Sequence, residues 1–228
     1  MKKAFFNWST GKDSAFALWK MQVDQRFKVD RLVTTVNEGF GRVSMHGIRT
    51  ELLELQAQAL DLETTCITLP ESPTMEEYDR IFAASMKTLQ AQGYDHCGYG
   101  DIFLEDLRQY REDLLRPLSI TAHFPLWKLD TQKLIQNFIS EGFKAIVINV
   151  NAELLDASFV GRELDASFIQ DLPDHIDPCG ENGEFHTFCY DGPIFNVPVS
   201  FTVGEKVQRD YHNAQGEKIG SAWFCDLG

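Results

Sequence analysis

The sequence predicts an α/β fold: a parallel sheet covered by helices. Three observations carry this. Apolar, β-branched runs alternate with helical stretches through the first 118 residues, the pattern of strand–helix–strand units. The first run passes through one small polar turn straight into a helix. A later run, residues 144–150, is apolar apart from Lys144 and Asn149, as a strand buried on both faces would be.

Taken in order, residues 3–8 read as a strand, 9–14 as a turn with one glycine, and 15–21 as a helix with Phe16, Ala17 and Leu18 on its apolar side. Residues 30–37 form a second strand on their β-branched content, and 38–45, with two glycines, a loop. The spacing of Ile48, Leu52, Leu55 and Leu60 predicts a helix over 46–60. Residues 63–69 are a strand ended by Pro70. Residues 74–92 are a helix with Thr74 as its N-cap and Gly93 as its stop. A strand over 94–100 and a helix over 105–118 follow. The character changes near His123, which sets the expected boundary between domains at 1–123 and 124–228. Beyond it the sequence predicts a helix at 131–141, the strand at 144–150, a helix at 154–170 and then loops and short strands. Among these, 197–203 and 205–211 read as a pair, and Asn213, Ala214, Gln215 and Gly216 as a turn into 218–226.

At 228 residues, 43% hydrophobic and 24% charged, the composition is that of a globular protein of one large or two small domains. No apolar run reaches membrane-spanning length, and Met1-Lys2-Lys3 leads into no secretory core, so the cytosol is the expected compartment. The five cysteines are widely spaced without a CxxC pair, which argues against a zinc knuckle or a dithiol redox motif. A net charge of −13 repels phosphate backbones and argues against an extended nucleic-acid surface. A small anion would still feel the local loop, and Mg²⁺ would offset its charge.

Three stretches carry chemistry. In Ser9-Thr10-Gly11-Lys12-Asp13-Ser14, a strand ends, the chain turns at a glycine and a helix begins. The first N–H groups of a helix lack internal partners and carry the positive end of its dipole, so this arrangement makes an anion site. Lys12 adds a full charge, and Ser9, Thr10 and Ser14 add hydroxyls. The phosphate loop of common ATPases is excluded, since it needs glycine where this chain has Phe6 and Ser or Thr where it has Asp13. In the second stretch, 177–187, two glycines bracket Glu181 and Asn182, and Glu184, His186 and Thr187 follow Gly183. If extended, this segment sets Glu184, His186 and Phe188 on one face, where a carboxylate beside an imidazole can orient it or accept a proton. The alternative is a tight turn whose polar groups pin the backbone. In the third, Asp101 lies at a strand end, where a ligand or Mg²⁺ would sit in a parallel sheet. Glu105, Arg108 and Glu112 follow at helical spacing.

The 9–14 run resembles the Ser-Gly-Gly-Lys-Asp-Ser loop of the PP-loop ATP pyrophosphatases, departing at Thr10. With Gly100-Asp101-Ile102, Arg108, Glu112, Pro125-Leu126-Trp127, Cys179-Gly180-Glu181-Asn182-Gly183-Glu184 and Asp191-Gly192-Pro193, the chain resembles the diphthine–ammonia ligase family of that superfamily. The resemblance implies a Rossmann-like sheet of the adenine-nucleotide hydrolase type, a smaller C-terminal α+β domain, and a site in the cleft between them. It implies ATP cleavage to AMP and pyrophosphate, adenylation of a carboxylate substrate and attack by ammonia. Ser9, Thr10, Gly11, Lys12, Asp13 and Ser14 would hold ATP. Lys12, Asp13, Asp101, Glu184 and His186 would act in catalysis, with Asp13 and Asp101 on Mg²⁺. Arg108, Glu181, Asn182, Gly183 and Thr187 would bind the acceptor. A homodimer is one assembly open to it. Asn182, Phe185, His186 and the Asp106-Leu107 pair depart from the diphthamide-making members and look like the bacterial branch, which leaves the acid itself open. Two rivals stand beside this: a tRNA-modifying PP-loop enzyme, disfavoured by the acidic charge, and a non-catalytic ATP-binding sensor.

Overall fold

The computed structural model describes residues 1–39, 41–43, 47–213 and 215–228. The chain divides into two compact units, residues 1–9 with 13–128, and residues 10–12 with 129–228.

The first unit holds a six-stranded sheet. Its strands are β1 (Lys2–Asn7), β2 (Phe27–Asn37), β3 (Arg42–Val43), β4 (Glu63–Leu69), β5 (His96–Gly98) and β6 (Thr121–His123). Five run parallel in the order β4-β2-β1-β5-β6, and the two-residue β3 adds antiparallel pairs to the end of β2. The helices are α1 (Lys12–Val23), α2 (Thr50–Leu60), α3 (Met75–Ala91) and α4 (Glu105–Leu115). Successive strand residues point to opposite faces. Phe5 accordingly joins a core with Phe82, Met86 and Leu89 of α3 and Leu115 of α4. Phe6 lies on the other face with Met21 of α1, both so close to Gly98 that a Cβ there would collide with them. Helices therefore cover both faces, as expected for this fold class. From β1 the chain winds one way to β2 and β4, then returns to β5 on the other side of β1. That reversal is a topological switch point, where open α/β sheets bind ligands beyond the strands' carboxyl ends.

The second unit holds an antiparallel sheet, order β8-β7-β10-β9. Its elements are α5 (Thr131–Ser140), β7 (Lys144–Asn151), α6 (Ala166–Asp171), β8 (Phe185–Asp191), β9 (Val203–His212) and β10 (Lys218–Leu227). Phe138, Ile146, Ile148, Phe168 and Phe188 are buried in it.

Several expectations are corrected. No helix spans 154–170; only α6 forms. Gly161 adopts φ 77°, and the segment turns back so that Gly161 N–H and Leu164 N–H donate to the carbonyls of Val147 and Ala145. Its backbone pairs with the first half of β7 instead of closing helical turns. Residues 197–203 do not pair with 205–211. Pro198 has no N–H to give a ladder, and β9 begins at Val203 and pairs along its length with β10. Helix α2 begins at Thr50, after Gly47 at φ 64°; the expected start, His46, lies outside the described residues, as does Ala214 of the expected turn. The three-residue β6 was not foreseen. Helix α1 begins at Lys12, so half of the expected turn is its first helical turn.

Candidate functional site

The loop after β1 is built from both its ends. Ser14 Oγ accepts the N–H of Ser9 at 3.1 Å and lies 2.7 Å from Ser9 Oγ, closing the turn over the start of α1. Gly100, just beyond β5, packs on this turn so closely that a Cβ would stand 2.9 Å from Asp13 C and Ser14 N. Only glycine fits there. The loops after β1 and β5 thus meet at the switch point. Thr10 is the departure from the superfamily's glycine, and its φ is 73°, a left-handed conformation costly for a β-branched residue. Its carbonyl accepts the N–H of Cys189 at 2.9 Å.

Lys12 is 3% exposed. Its N–H donates to Thr187 Oγ1 at 3.1 Å and its Nζ to the carbonyl of Cys179. The Phe185 ring lies 5.7 Å from Nζ. Chain segments 167 residues apart therefore hold the lysine at the head of its helix.

The turn that presents the Cys179 carbonyl is itself pinned. Asp177 Oδ1 accepts the N–H of Cys179 at 2.8 Å, and Asp177 Oδ2 accepts the Thr131 hydroxyl at 2.7 Å. Glu184 is 2% exposed, and its carboxylate accepts the N–H groups of Asp177 and Asn182 and the Asn182 amide, at 2.8–3.1 Å. Burial by itself would raise its pKa, but the Asn182 amide and the backbone N–H donors outweigh it and hold the carboxyl below its usual range. Gly180, at φ 72°, makes the turn and leaves room for the carbonyl of Phe185, 2.8 Å from where a Cβ would lie. The sequence predicts a catalytic role for Glu184; the structure sets its oxygens against N–H donors of its own turn. His186 follows in β8, and burial, then the charge of Lys12, lowers its pKa, keeping the imidazole neutral near pH 7. Asn182 and Gly183 lie in the turn, and Glu181 N–H reaches Asp177 Oδ1 at 3.4 Å.

Asp101 is 3.1 Å from Arg111 Nε through Oδ2 and accepts from Arg111 Nη2 through Oδ1 at 3.2 Å. Arg111 also lies 4.4 Å above the Tyr99 ring. Both carboxylate oxygens thus face a half-buried guanidinium, which does not suit a metal ligand. Among the described residues no three His, Cys, Asp or Glu side chains are grouped to hold a metal. Asp101, so engaged, does not fit the role of a Mg²⁺ ligand expected of it. Arg108 pairs with Glu112 at 2.8 Å, and Glu105 with Lys128 at 3.3 Å.

Asp177, the Cys179 carbonyl and Arg111 were missed from sequence. Aspartate two residues before Cys179 is a turn signal that could have found the first. A backbone carbonyl leaves no signal, and nothing local ties Arg111 to Asp101.

Two family models cover the chain: the diphthamide synthase N-terminal domain matches residues 1–121 and the C-terminal domain residues 130–219. The chain belongs to the diphthamide synthase family. Among curated relatives, diphthine–ammonia ligase of Schizosaccharomyces pombe is 30% identical over 42% of this chain and 17% of its own. The Bos taurus ligase is 31% identical over 46% of this chain and 41% of its own. That of Danio rerio is 26% identical over 68% and 63%. The chain spans less than two thirds of each of these relatives. No helix among the described residues is long and apolar enough to cross a membrane.

Proposed function

We propose that the protein is an AMP-forming, ATP-dependent ligase that joins ammonia to a carboxylate. The observation that carries the reading is Lys12: a buried ammonium at the head of the helix after the first strand, at the sheet's switch point, with a hydroxyl-rich turn around it. Its Nζ, the N-terminal N–H groups of α1 and the hydroxyls of Ser9, Thr10 and Ser14 hold the β- and γ-phosphates, with Gly11 letting the backbone approach. The acceptor carboxylate oxygen attacks the α-phosphorus. The bond from that phosphorus to the bridging oxygen breaks, and pyrophosphate leaves into the loop. Ammonia then attacks the acyl carbon, AMP departs with the bonding pair, and the proton released from nitrogen passes to the neutral imidazole of His186. Asn182, Gly183, Glu181, Thr187 and Arg108 contact the acceptor. Glu184 and Asp101 act by holding other groups in place. Membership of the family and the diphthine–ammonia ligase activity of its curated relatives support this reading. Magnesium would enter with the nucleotide rather than on a protein cluster. A homodimer and a cytosolic location are compatible with it.

Chromatography of products tests it. With ATP, ammonium and a panel of acids, turnover should yield AMP and pyrophosphate in equal amounts. ADP as the main product would overturn the ligase mechanism.

A further inference from the structure

The corner formed by α4 and the segment after β6 holds an arginine that the loop chemistry does not use. Arg108 lies in the first turn of α4, which starts seven residues beyond the end of β5. Phe124 and Trp127 follow directly on the end of β6. In a parallel sheet all three therefore sit at the carboxyl edge, where ligands bind. The guanidinium carbon is 4.6 Å from the Trp127 ring centroid and 5.0 Å from that of Phe124, and the two rings are 5.8 Å apart. Its Nε donates to Glu112 Oε1 at 2.8 Å. Phe124 is in turn stacked on buried Tyr99 at 5.4 Å. Two rings and one hydrogen bond thus hold the guanidinium in place. Its Nη1 and Nη2 edge has no acceptor among the described residues, and the side chain stays 33% exposed.

A guanidinium with two aromatic rings against one side, its Nε tied back and its outer edge open has already lost much of its rotamer freedom. Its two parallel donors match the two oxygens of a carboxylate. We propose that Arg108, set by Phe124, Trp127 and Glu112, is a carboxylate-binding subsite, and that the acceptor is an acid bearing a second carboxylate that is not activated. Identifying the ligand as the acceptor rests on the ligase reading; the subsite itself does not. The spacing separates the two anions. β1, β5 and β6 are neighbours, so the carboxyl ends of β1 and β6 lie about 10 Å apart at about 4.8 Å per strand. An anion at Arg108 is therefore distinct from the phosphates held after β1. The chain's net charge of −13 offers a free anion no general attraction, so binding depends on this local fork.

The Trp127 indole reports on the subsite. In the full-length protein without ATP, its ¹H–¹⁵N resonance is followed while glutarate, glutaramide or inorganic phosphate is added. Glutarate should shift it saturably, with glutaramide, its uncharged analogue, at least tenfold weaker. Arg108→Lys, which keeps the charge but loses the fork, should weaken glutarate at least tenfold while the melting temperature holds. Equal shifts from glutarate and glutaramide, or unchanged affinity in Arg108→Lys, would show a merely structural arginine and overturn the proposal. Phosphate binding tenfold tighter than glutarate would also overturn it, by replacing the carboxylate with another anion. If AMP-forming turnover fails while glutarate binds as stated, the ligase reading falls and the subsite stands.

Discussion

Asp101 and Glu184 are carboxylates largely shielded from solvent, one in each compact unit, and both look catalytic on paper. Each has its oxygens engaged, but by different partners. Asp101 faces the guanidinium of Arg111, ten residues on. Glu184 faces only neutral N–H donors of its own seven-residue neighbourhood. A carboxylate balanced by charge depends on one long-range partner, whereas one balanced by backbone donors depends on a local turn. The difference lies in what the loss of each would disturb.

The largest effect should come from breaking the charge pair. Arg111→Leu leaves the partly buried Asp101 carboxylate without its counter-charge and should cost about 3 kcal/mol in urea unfolding. A loss below about 1 kcal/mol would mean that Asp101 is not balanced by Arg111.

A smaller loss should follow from Glu184→Gln, about 2 kcal/mol, because an amide puts a donor where three N–H groups need acceptors. The pH dependence sharpens the contrast. The folded pKa of Glu184 is depressed, so its contribution is present above the unfolded value of about 4.3 and is lost as pH falls through the folded one. Denaturation curves of Glu184→Gln should therefore converge on wild type as pH falls through that depressed folded value. A gap that persists there would assign the loss to shape, not charge.

What was legible follows from the same contrast between local and distant partners. Helix α3 was readable to its cap because the signal is local: Thr74 and Glu77 form a reciprocal capping box. Strand β4 was readable because Pro70 closes a β-branched run. The chemistry-bearing stretches, 9–14 and 177–187, were also readable, as dense polar turns. The partners of Lys12 and Asp101 were not, since a carbonyl at Cys179 and a guanidinium at Arg111 are chosen by the fold. The 154–170 stretch misled for the same reason: its apolar spacing suits a helix, while β7 recruits its backbone.

The smallest effect concerns Thr10. Glycine accepts φ 73° freely and alanine does not, so Thr10→Gly should be more stable than Thr10→Ala by about 1 kcal/mol. Equal melting temperatures would mean that the loop relaxes out of the left-handed conformation.

The central claim is that Lys12 holds the phosphates of ATP. Calorimetric titration of ATP into wild type and Lys12→Met tests it most directly, since methionine keeps an unbranched side chain in the buried position without the charge. The account predicts at least tenfold weaker ATP binding in Lys12→Met, with the thermal transition still cooperative. ATP affinity equal to wild type in a folded Lys12→Met would contradict it.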